Sequence, residues 1–494
     1  MNRPSWISLA LIALLCAAAC QQGPEHDRMN VLFISIDDLR PSLGAYGFDG
    51  AHTPHLDALA ARGTRFDRAY CQMATCAPSR AAVLTGCRPA TNGVVDLKTH
   101  YRDALPDAVT LPQLFKEKGW YAAAFGKVHH GRPEDEGELD DAISWSTDCW
   151  RPADRWQTYY ATEAARTVMR ENEARAEREG LWAVPRGLSY EAPDVPDSEL
   201  GDGRIADAAI AAMEAHRDEP FFLAVGFLKP HMPYVAPKKY WDLYPPNSES
   251  APIDEGLPDG SPTLSTTDSA EVRSHHDIPN EGPIPDDLRR ELRRGYLACA
   301  SYVDAQVGRL LATLERLGLD DSTIVVVWGD HGWHLGEQGH LGKHTNFETS
   351  TRVPLLVHVP GRDHVQATDA LVELVDLYPT LAELCGLVPP TPIEGTSFAS
   401  NLFDRDAPRK SAVFHEFHRG KQAKGYAVRT DTHRLVQWTR ADGAVVEELY
   451  DLAADPRETL NVVESQAGVA GKLRAVLARG WRAAVPEDSG SEQQ

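Results

Sequence analysis

Cys76 stands within the run Cys71 to Pro89, CQMATCAPSRAAVLTGCRP, directly ahead of Ala77, Pro78, Ser79 and Arg80. Proline fixes φ for a first helical turn, the small residues after it continue a helix, and Gly86 can end it. Cys76 is therefore predicted just ahead of a helix N-terminus, where free N–H groups and the helix dipole favour negative charge. A nucleophile at residue 76 would be stabilised there; a small buried cysteine in a tight turn is the other reading of the same residues. Elsewhere, ionisable residues gather at the ends of apolar runs. Asn30 to Ile36 ends on Asp37 and Asp38, adjacent carboxylates that need a partner when buried. A hard divalent cation is one such partner, and a role as helix N-cap is the alternative. Trp120 to Phe125 leads to Gly126, Lys127, His129 and His130; Phe221 to Phe227 leads to Lys229 and His231; Ser322 to Trp328 leads to Asp330 and His331.

These four runs are apolar and β-rich over most of their length, as expected of strands buried on both faces of a sheet. In an open parallel sheet ligands bind beyond the carboxyl ends of the strands, so the runs point to one composite site. Asp37, Asp38 and Asp330 would supply carboxylate oxygens there, which favours Ca²⁺ or Mg²⁺ over zinc. Lys127, His231 and Lys343, supported by Arg80, would form an electropositive cup for a tetrahedral anion. Helical stretches lie between the runs: Thr53 opens one through Arg62, and others span Leu111 to Lys118, Asp202 to His216 and Asp286 to Leu317. The last carries an apolar stripe through Tyr296, Val303, Val307, Leu310 and Leu314. This alternation predicts an α/β fold, a large, mostly parallel sheet covered by helices. Pro245 to Pro285, rich in Pro, Ser, Asp and Gly, reads as a surface insertion near the pocket, and the charged stretch Glu163 to Glu179 as a solvated helix. Towards the C-terminus, β-like runs at Ser411 to His415, Gly425 to Thr430, His433 to Thr439 and Glu448 to Leu452 precede a closing helix from about Gln466 to Ala484. They predict a small α+β subdomain with an antiparallel sheet.

Residues 1–20 begin with Arg3, run apolar from Trp6 through Leu15 and close on three alanines and Cys20, the layout of an export signal. Cys20 is placed to become a lipidated first residue; ordinary secretion with cleavage nearby is the alternative. The expected order is a leader of lipoprotein type (1–20), a short tether (21–28), a catalytic domain (29–405), the C-terminal subdomain (406–485) and a disordered tail (486–494). The expected location is periplasmic or cell-surface, with a lipid anchor at the membrane. A formal net charge of −22 argues against nucleic acid as a partner, because that binding depends on clustered Lys and Arg. Any anion specificity must then come from a local group of cations. Outside the leader, Cys71, Cys76, Cys87, Cys149, Cys299 and Cys385 follow neither a zinc pattern nor a dense disulfide framework.

CAPSR, followed at once by LTGCR, resembles the signature of the type I sulfatases. The resemblance implies the alkaline-phosphatase-like sulfatase fold, oxidation of Cys76 to formylglycine by a maturase, and one Ca²⁺ held by Asp37, Asp38, residue 76, Asp330 and His331. Hydrated formylglycine would offer one hydroxyl to attack sulfur, with Asp330 as proton acceptor, and a second, deprotonated by His130, to let sulfate leave. Lys343 or His231 would protonate the departing oxygen, and Arg80 would brace the modified residue. Asp330-His-Gly-Trp-His-Leu-Gly-Glu-Gln-Gly339, Lys343, Thr345-Asn-Phe347, Val353-Pro354 and Lys229-Pro-His231 resemble the iduronate-2-sulfatase branch in particular. Its GKVxH spacing selects His130 over His129, and it carries histidine at position 331, where the other reading is a donor that orients Asp330. Leu228 stands where that branch is expected to present a histidine to the sugar. His100, Tyr101, Arg102, Lys229 and His344 are candidates for sugar contacts. Leu449-Tyr-Asp-Leu452 and Asp455-Pro456 also resemble the ending of many sulfatases. The expected activity is removal of O-sulfate from a carbohydrate, such as a sulfated uronic-acid or marine polysaccharide fragment. A phosphodiesterase or phosphonate hydrolase on the same scaffold, and a noncatalytic surface protein that binds sulfated glycans, are the alternatives.

Overall fold

Alternate residues of the strand Asn30–Ile36 serve two different cores, which makes its sheet the middle layer of the molecule. Val31 and Phe33 face the helices Cys76–Thr85, Leu111–Glu117 and Leu377–Leu384, through Leu84, Phe115 and Leu381. Leu32, Ile34 and Ile36 face Pro54–Arg62, Gly201–Ala215 and Asp286–Leu317, through Leu59, Ile205 and Val307. Each such side chain, fully buried, contributes roughly 1.5–3 kcal/mol, so the strand is fixed from both sides. The computed structural model describes residues 28–130, 141–152, 159–179, 186–246, 256–390 and 393–486. The leader with Cys20, the tether up to residue 27, the tail from 487 and residues 247–255 of the insertion lie outside the described residues.

The main sheet has seven strands in the order Ala367–Thr368, Thr64–Phe66, Leu355–His358, Thr323–Gly329, Asn30–Ile36, Phe221–Phe227, Tyr121–Gly126. The last four run parallel, with Ile36 beside both Phe227 and Gly329, and Gly126 beside Gly226. Their carboxyl ends therefore lie side by side. The sheet is mixed, however: Leu355–His358 runs antiparallel to both of its neighbours. It returns from the same edge at which Thr323–Gly329 ends, and an antiparallel return needs no crossover helix. Residues 330–354 are thus a loop confined to the carboxyl end of the sheet.

Two other expectations change. The helix Glu163–Glu179 is not wholly solvated, since Ala165, Met169, Asn172 and Ala176 are buried on one side. The insertion folds onto the body with short helical turns at Thr263–Ser265 and Ala270–Arg273, and Ser265 Oγ donates to Glu448 Oε2 at 2.7 Å. The C-terminal sheet is antiparallel, in the order Val413–Arg419, Ala423–Arg429, His433–Arg440, Val445–Asp451. The helix Ala467–Arg479 covers it through Ala470 and Leu473, then stops at Gly480, whose φ of 75° suits a residue without Cβ. No helix among the described residues is long and apolar enough to cross a membrane.

Candidate active site

Cys76 is the first residue of its helix rather than the residue ahead of it. Pro78 then falls third, still within the first turn, where backbone N–H groups have no partner in the helix and a missing one is tolerated. Gly86 closes the helix in the left-handed region, at φ 66°. The Cys76 thiol is buried, 3.3 Å from Lys343 Nζ and 3.3 Å from His331 Nε2.

Asp37 and Asp38 leave the end of the central strand fully buried. Asp38 has φ 61°, a left-handed conformation that aspartate tolerates better than most residues, and its N–H donates to Asp330 Oδ1 at 3.0 Å. Arg80 lies beneath the pair. Its Nε donates to Asp330 Oδ2 at 2.9 Å, Nη2 to Asp37 Oδ1 at 3.3 Å, and Nη1 to Ser35 Oγ at 3.2 Å and to the Lys127 and Val128 carbonyls. The planar fork thus ties three strand ends together. Asp330 also accepts the His331 N–H at 3.0 Å. Oδ1 thus accepts from two backbone donors and Oδ2 from Arg80, which fixes the orientation of Asp330.

The cations converge as the sequence predicts. Lys127 Nζ donates to Asp37 Oδ2 at 2.5 Å, and Lys343 Nζ to Asp38 Oδ1 at 2.8 Å. Lys127 crosses its neighbouring strand at Gly226, where a Cβ would stand 2.0 Å from the Lys127 carbonyl oxygen, so no other residue fits. Burial alone would raise the Asp37 carboxyl, but Lys127, His231 and Arg80 hold it well below the ordinary range. His231 Nδ1 lies 2.6 Å from the Met232 carbonyl, and Nε2 lies 3.9 Å from Asp38 Oδ2. His130 is pushed down to about 3, by burial first and then by Lys127, and stays neutral; its Nδ1 is buried without a hydrogen-bond partner. Its neighbour His129 instead packs between Tyr101 and Trp145, at ring separations of 5.8 and 6.1 Å.

Ligand atoms of Asp37, Asp38, Cys76 and His331 all lie within 4.8 Å of one another. Asp38 Oδ2 is buried with no hydrogen-bond partner, an acceptor left for a cation. His331 Nδ1 faces the Gly332 carbonyl at 3.1 Å, which turns Nε2 towards the carboxylates. Burial opposes charge on that ring, yet Asp330 beside it raises it to about 9, so the field of the nest favours positive charge at this point. Two carboxylates and one imidazole beside the Cys76 thiol form a buried group that could hold a metal ion; an oxygen at residue 76 in place of the sulfur would suit the set to a hard divalent ion. Asp330 stands beside this set, its Oδ1 3.6 Å from His331 Nε2.

The residues considered for sugar contacts separate. Lys229 Nζ donates to the His231 and Pro233 carbonyls at 3.0 and 2.7 Å, so it fastens its own loop. Arg102 grips Asp141 with two hydrogen bonds of 2.6 Å, and Tyr101 is buried beside Ala77 and Ala81. Leu228, partly buried, packs against the core cluster that also holds Ile205 and Val307. His100 and His344 remain half-buried, and the His344 carbonyl accepts Arg419 Nη1 at 2.8 Å. One residue that the sequence did not announce enters the site: Glu271, whose Oε1 is 3.0 Å from His231 Nε2 and whose Oε2 is 3.5 Å from Lys343 Nζ. Burial would raise its carboxyl, but Lys343 and His231 hold it well below the ordinary range. It lies in the polar insertion, where no periodicity marks a site.

Residues 29–387 match the family described as Sulfatase, and residues 336–479 match the C-terminal region of N-sulphoglucosamine sulphohydrolase. Iduronate 2-sulfatase of Mus musculus is 33% identical over 94% of this chain and 97% of its own length. The Homo sapiens enzyme is 33% identical over 94% and 96%. A sulfatase of Formosa agariphila is 31% identical over 91% and 87%. Among solved structures, BT4656 in complex with its substrate D-glucosamine-2-N,6-O-disulfate superposes with a TM-score of 0.73 at 21% identity, covering 94% of this chain and all of the other. The phosphonate monoester hydrolase of Agrobacterium radiobacter gives 0.70 at 23% identity, over 92% and 96%. These likenesses identify the fold as alkaline-phosphatase-like. Since the family match alone takes in most of the chain and the relatives align along nearly all of it, the protein belongs to the sulfatase family and is a sulfuric ester hydrolase.

Proposed function

We propose that this enzyme removes O-sulfate from a carbohydrate, using formylglycine at residue 76 and a calcium ion held by Asp37, Asp38, residue 76, Asp330 and His331. The observation that carries the reading is the convergence on Cys76: two nitrogens, Lys343 Nζ and His331 Nε2, at 3.3 Å, over an acidic nest with an unpartnered oxygen. The ion would draw charge from the sulfate oxygens, and hydrated formylglycine would supply two hydroxyls on one carbon, one to attack sulfur and one to release sulfate. The chain's own residues do the rest. Lys127, Lys343 and His231 surround the space above residue 76 and bind the sulfate oxygens. Lys127 and His231 are each 16% exposed and border the opening, whereas Lys343 at 3% lies at the floor, so His231 is the group that can reach a departing sugar oxygen with a proton. His130 Nδ1, buried without a hydrogen-bond partner, is the atom that would take the proton released at residue 76. Arg80 fixes Asp37 and Asp330 and takes no part in proton transfer.

Similarity to iduronate 2-sulfatases favours a sulfated uronic acid or related sugar, though Leu228 stands where that branch is expected to present a histidine to the sugar. Export and a lipid anchor at Cys20 complete the proposal and suit a polymeric substrate outside the cell. The test has two parts. Mass spectrometry of the peptide containing Cys76, from protein made with a formylglycine-generating maturase, should show the aldehyde or its hydrate. That protein should release sulfate from members of a panel of defined sulfated oligosaccharides in a Ca²⁺-dependent manner. Turnover confined to phosphate diesters or phosphonate monoesters would replace the reading with its scaffold alternative, and full activity of Cys76→Ala would refute it.

A further inference from the structure

A carboxylate inside a pocket for anions needs an explanation, because it opposes the charge that the pocket is meant to hold. Glu271 is such a group. Its side chain is 14% exposed, on the short helix Ala270–Arg273, and it reaches both His231 and Lys343. Oε1 is 3.0 Å from His231 Nε2 and 3.3 Å from Arg186 Nη1, while Oε2 is 3.5 Å from Lys343 Nζ. His231 is thereby pinned at both ring nitrogens, Nδ1 on the Met232 carbonyl at 2.6 Å and Nε2 on Glu271. Lys343 is pinned between Asp38 Oδ1 at 2.8 Å and Glu271. Without Glu271 the ring keeps only the Met232 carbonyl at Nδ1, and its Nε2 loses the partner that sets its direction.

We propose that Glu271 is a positioning residue of the hydrolysis: it holds the His231 ring so that the sugar oxygen leaving sulfur meets the His231 Nε2 proton. This rests on the carbohydrate-sulfatase reading and on its choice of His231 as proton donor. In the step concerned the S–O bond to the sugar breaks and both electrons stay on that oxygen, which takes the Nε2 proton. The ring is left neutral, with its Nδ1 proton still on the Met232 carbonyl, and regains a proton from water at the opening. Glu271 gains and loses none; its Oε1 accepts the Nε2–H until the sugar oxygen does.

The test compares Glu271→Gln, Glu271→Ala and Glu271→Asp with the parent, all matured and loaded with calcium, on two esters. One is a sugar sulfate, whose alkoxide must be protonated to leave; the other is 4-nitrophenyl sulfate, whose phenolate leaves unaided. Glu271→Gln and Glu271→Ala should lower kcat on the sugar sulfate by about tenfold to a hundredfold, within the contribution of a general acid, with KM changed less than about twofold. Turnover of 4-nitrophenyl sulfate should fall by less than about threefold, and Glu271→Asp should recover part of the loss. Equal losses on both esters, a change in KM alone, or no loss would overturn the proposal. A crystal structure of Glu271→Ala supplies a readout apart from activity: the His231 ring should leave its place, and a ring that stays put overturns the proposal. If the parent itself turns over no sugar sulfate, the carbohydrate reading fails, and the ring in that crystal structure still decides the role of Glu271.

Discussion

Arg80 directs its whole guanidinium at protein groups, with Asp37, Asp330, Ser35 and two carbonyls around it and only 1% of its side chain exposed. Its value to catalysis is therefore indirect: it fixes the carboxylates that frame residue 76. Lysine keeps the charge but has one nitrogen, which cannot span the same partners. Arg80→Lys should fold with stability lowered by roughly 3 kcal/mol, the scale for weakening a buried ion pair. Its kcat should fall about a hundredfold, the effect of displacing reacting groups by about 1 Å. Urea unfolding and steady-state assays of sulfate release check the two figures separately. The acidic nest makes a second prediction. Exhaustive chelation should abolish turnover and, for protein previously held in Ca²⁺ at about 100 times its Kd, remove about 2.7 kcal/mol of stability. Added Ca²⁺ should restore both; turnover that survives chelation would count against the nest as the ion's site.

At the scale of elements, the short helix Tyr101–Ala104 is tied to the turn Ala142–Ser144 through Arg102 and Asp141. Burial raises the Asp141 carboxyl, but hydrogen bonds from Arg102 and Ser144 outweigh it and bring it from 3.8 to about 2. The folded state thus holds its proton less tightly than the unfolded chain does. The stabilisation is complete above about pH 4 and is lost as pH falls towards 2, to the extent of roughly 2 kcal/mol. Asp141→Asn should show a flatter stability profile in that window, by urea unfolding at pH 5, 3.5 and 2.5; parallel profiles for variant and parent would contradict the assignment. Elements of this kind differ in how far the sequence discloses them. Asn30–Ile36, Phe221–Phe227 and Asp286–Leu317 are legible to the residue, because strands buried on both faces and a long amphipathic helix leave an unbroken pattern. Thr64–Phe66 and Leu355–His358 are not, since three or four residues show no period and their pairing joins distant parts of the chain. The site divides in the same way. Asp37, Lys127 and Asp330 follow from parallel strands that end together, whereas Glu271 and the inward turn of Lys229 depend on how loops fold back, which no local pattern encodes.

Across the whole molecule, the boundary expected near residue 405 is bridged by buried charge. Lys410 Nζ, just before the C-terminal sheet, donates to Glu373 Oε2 at 2.6 Å and to both oxygens of Asp376 at 2.7 Å. Arg88, three residues after the end of the Cys76–Thr85 helix, grips the same Glu373, whose Oε1 also accepts the Phe414 N–H at 3.0 Å. Nearer the pocket, Arg434 reaches Glu348 at 3.3 Å, and His415 Nε2 lies 3.2 Å from the Asn346 carbonyl, so strands of the C-terminal sheet brace the loop that carries Lys343. Removing residues 406–486 would leave Glu373, Asp376 and Glu348 without these partners on newly opened surface, and a chain ending at 405 should not yield soluble folded protein. The point substitution Lys410→Met makes the same argument without truncation. It leaves two buried carboxylates sharing Arg88 alone, and losing one partner of a buried ion cluster costs roughly 3–5 kcal/mol. Calorimetry of the parent should show one transition, with that of Lys410→Met displaced downward as a whole, because the ion cluster couples the two parts. If the C-terminal sheet instead melts by itself while the remainder keeps its original midpoint, the two parts are independent and the bracing of the Lys343 loop is not what holds the pocket together.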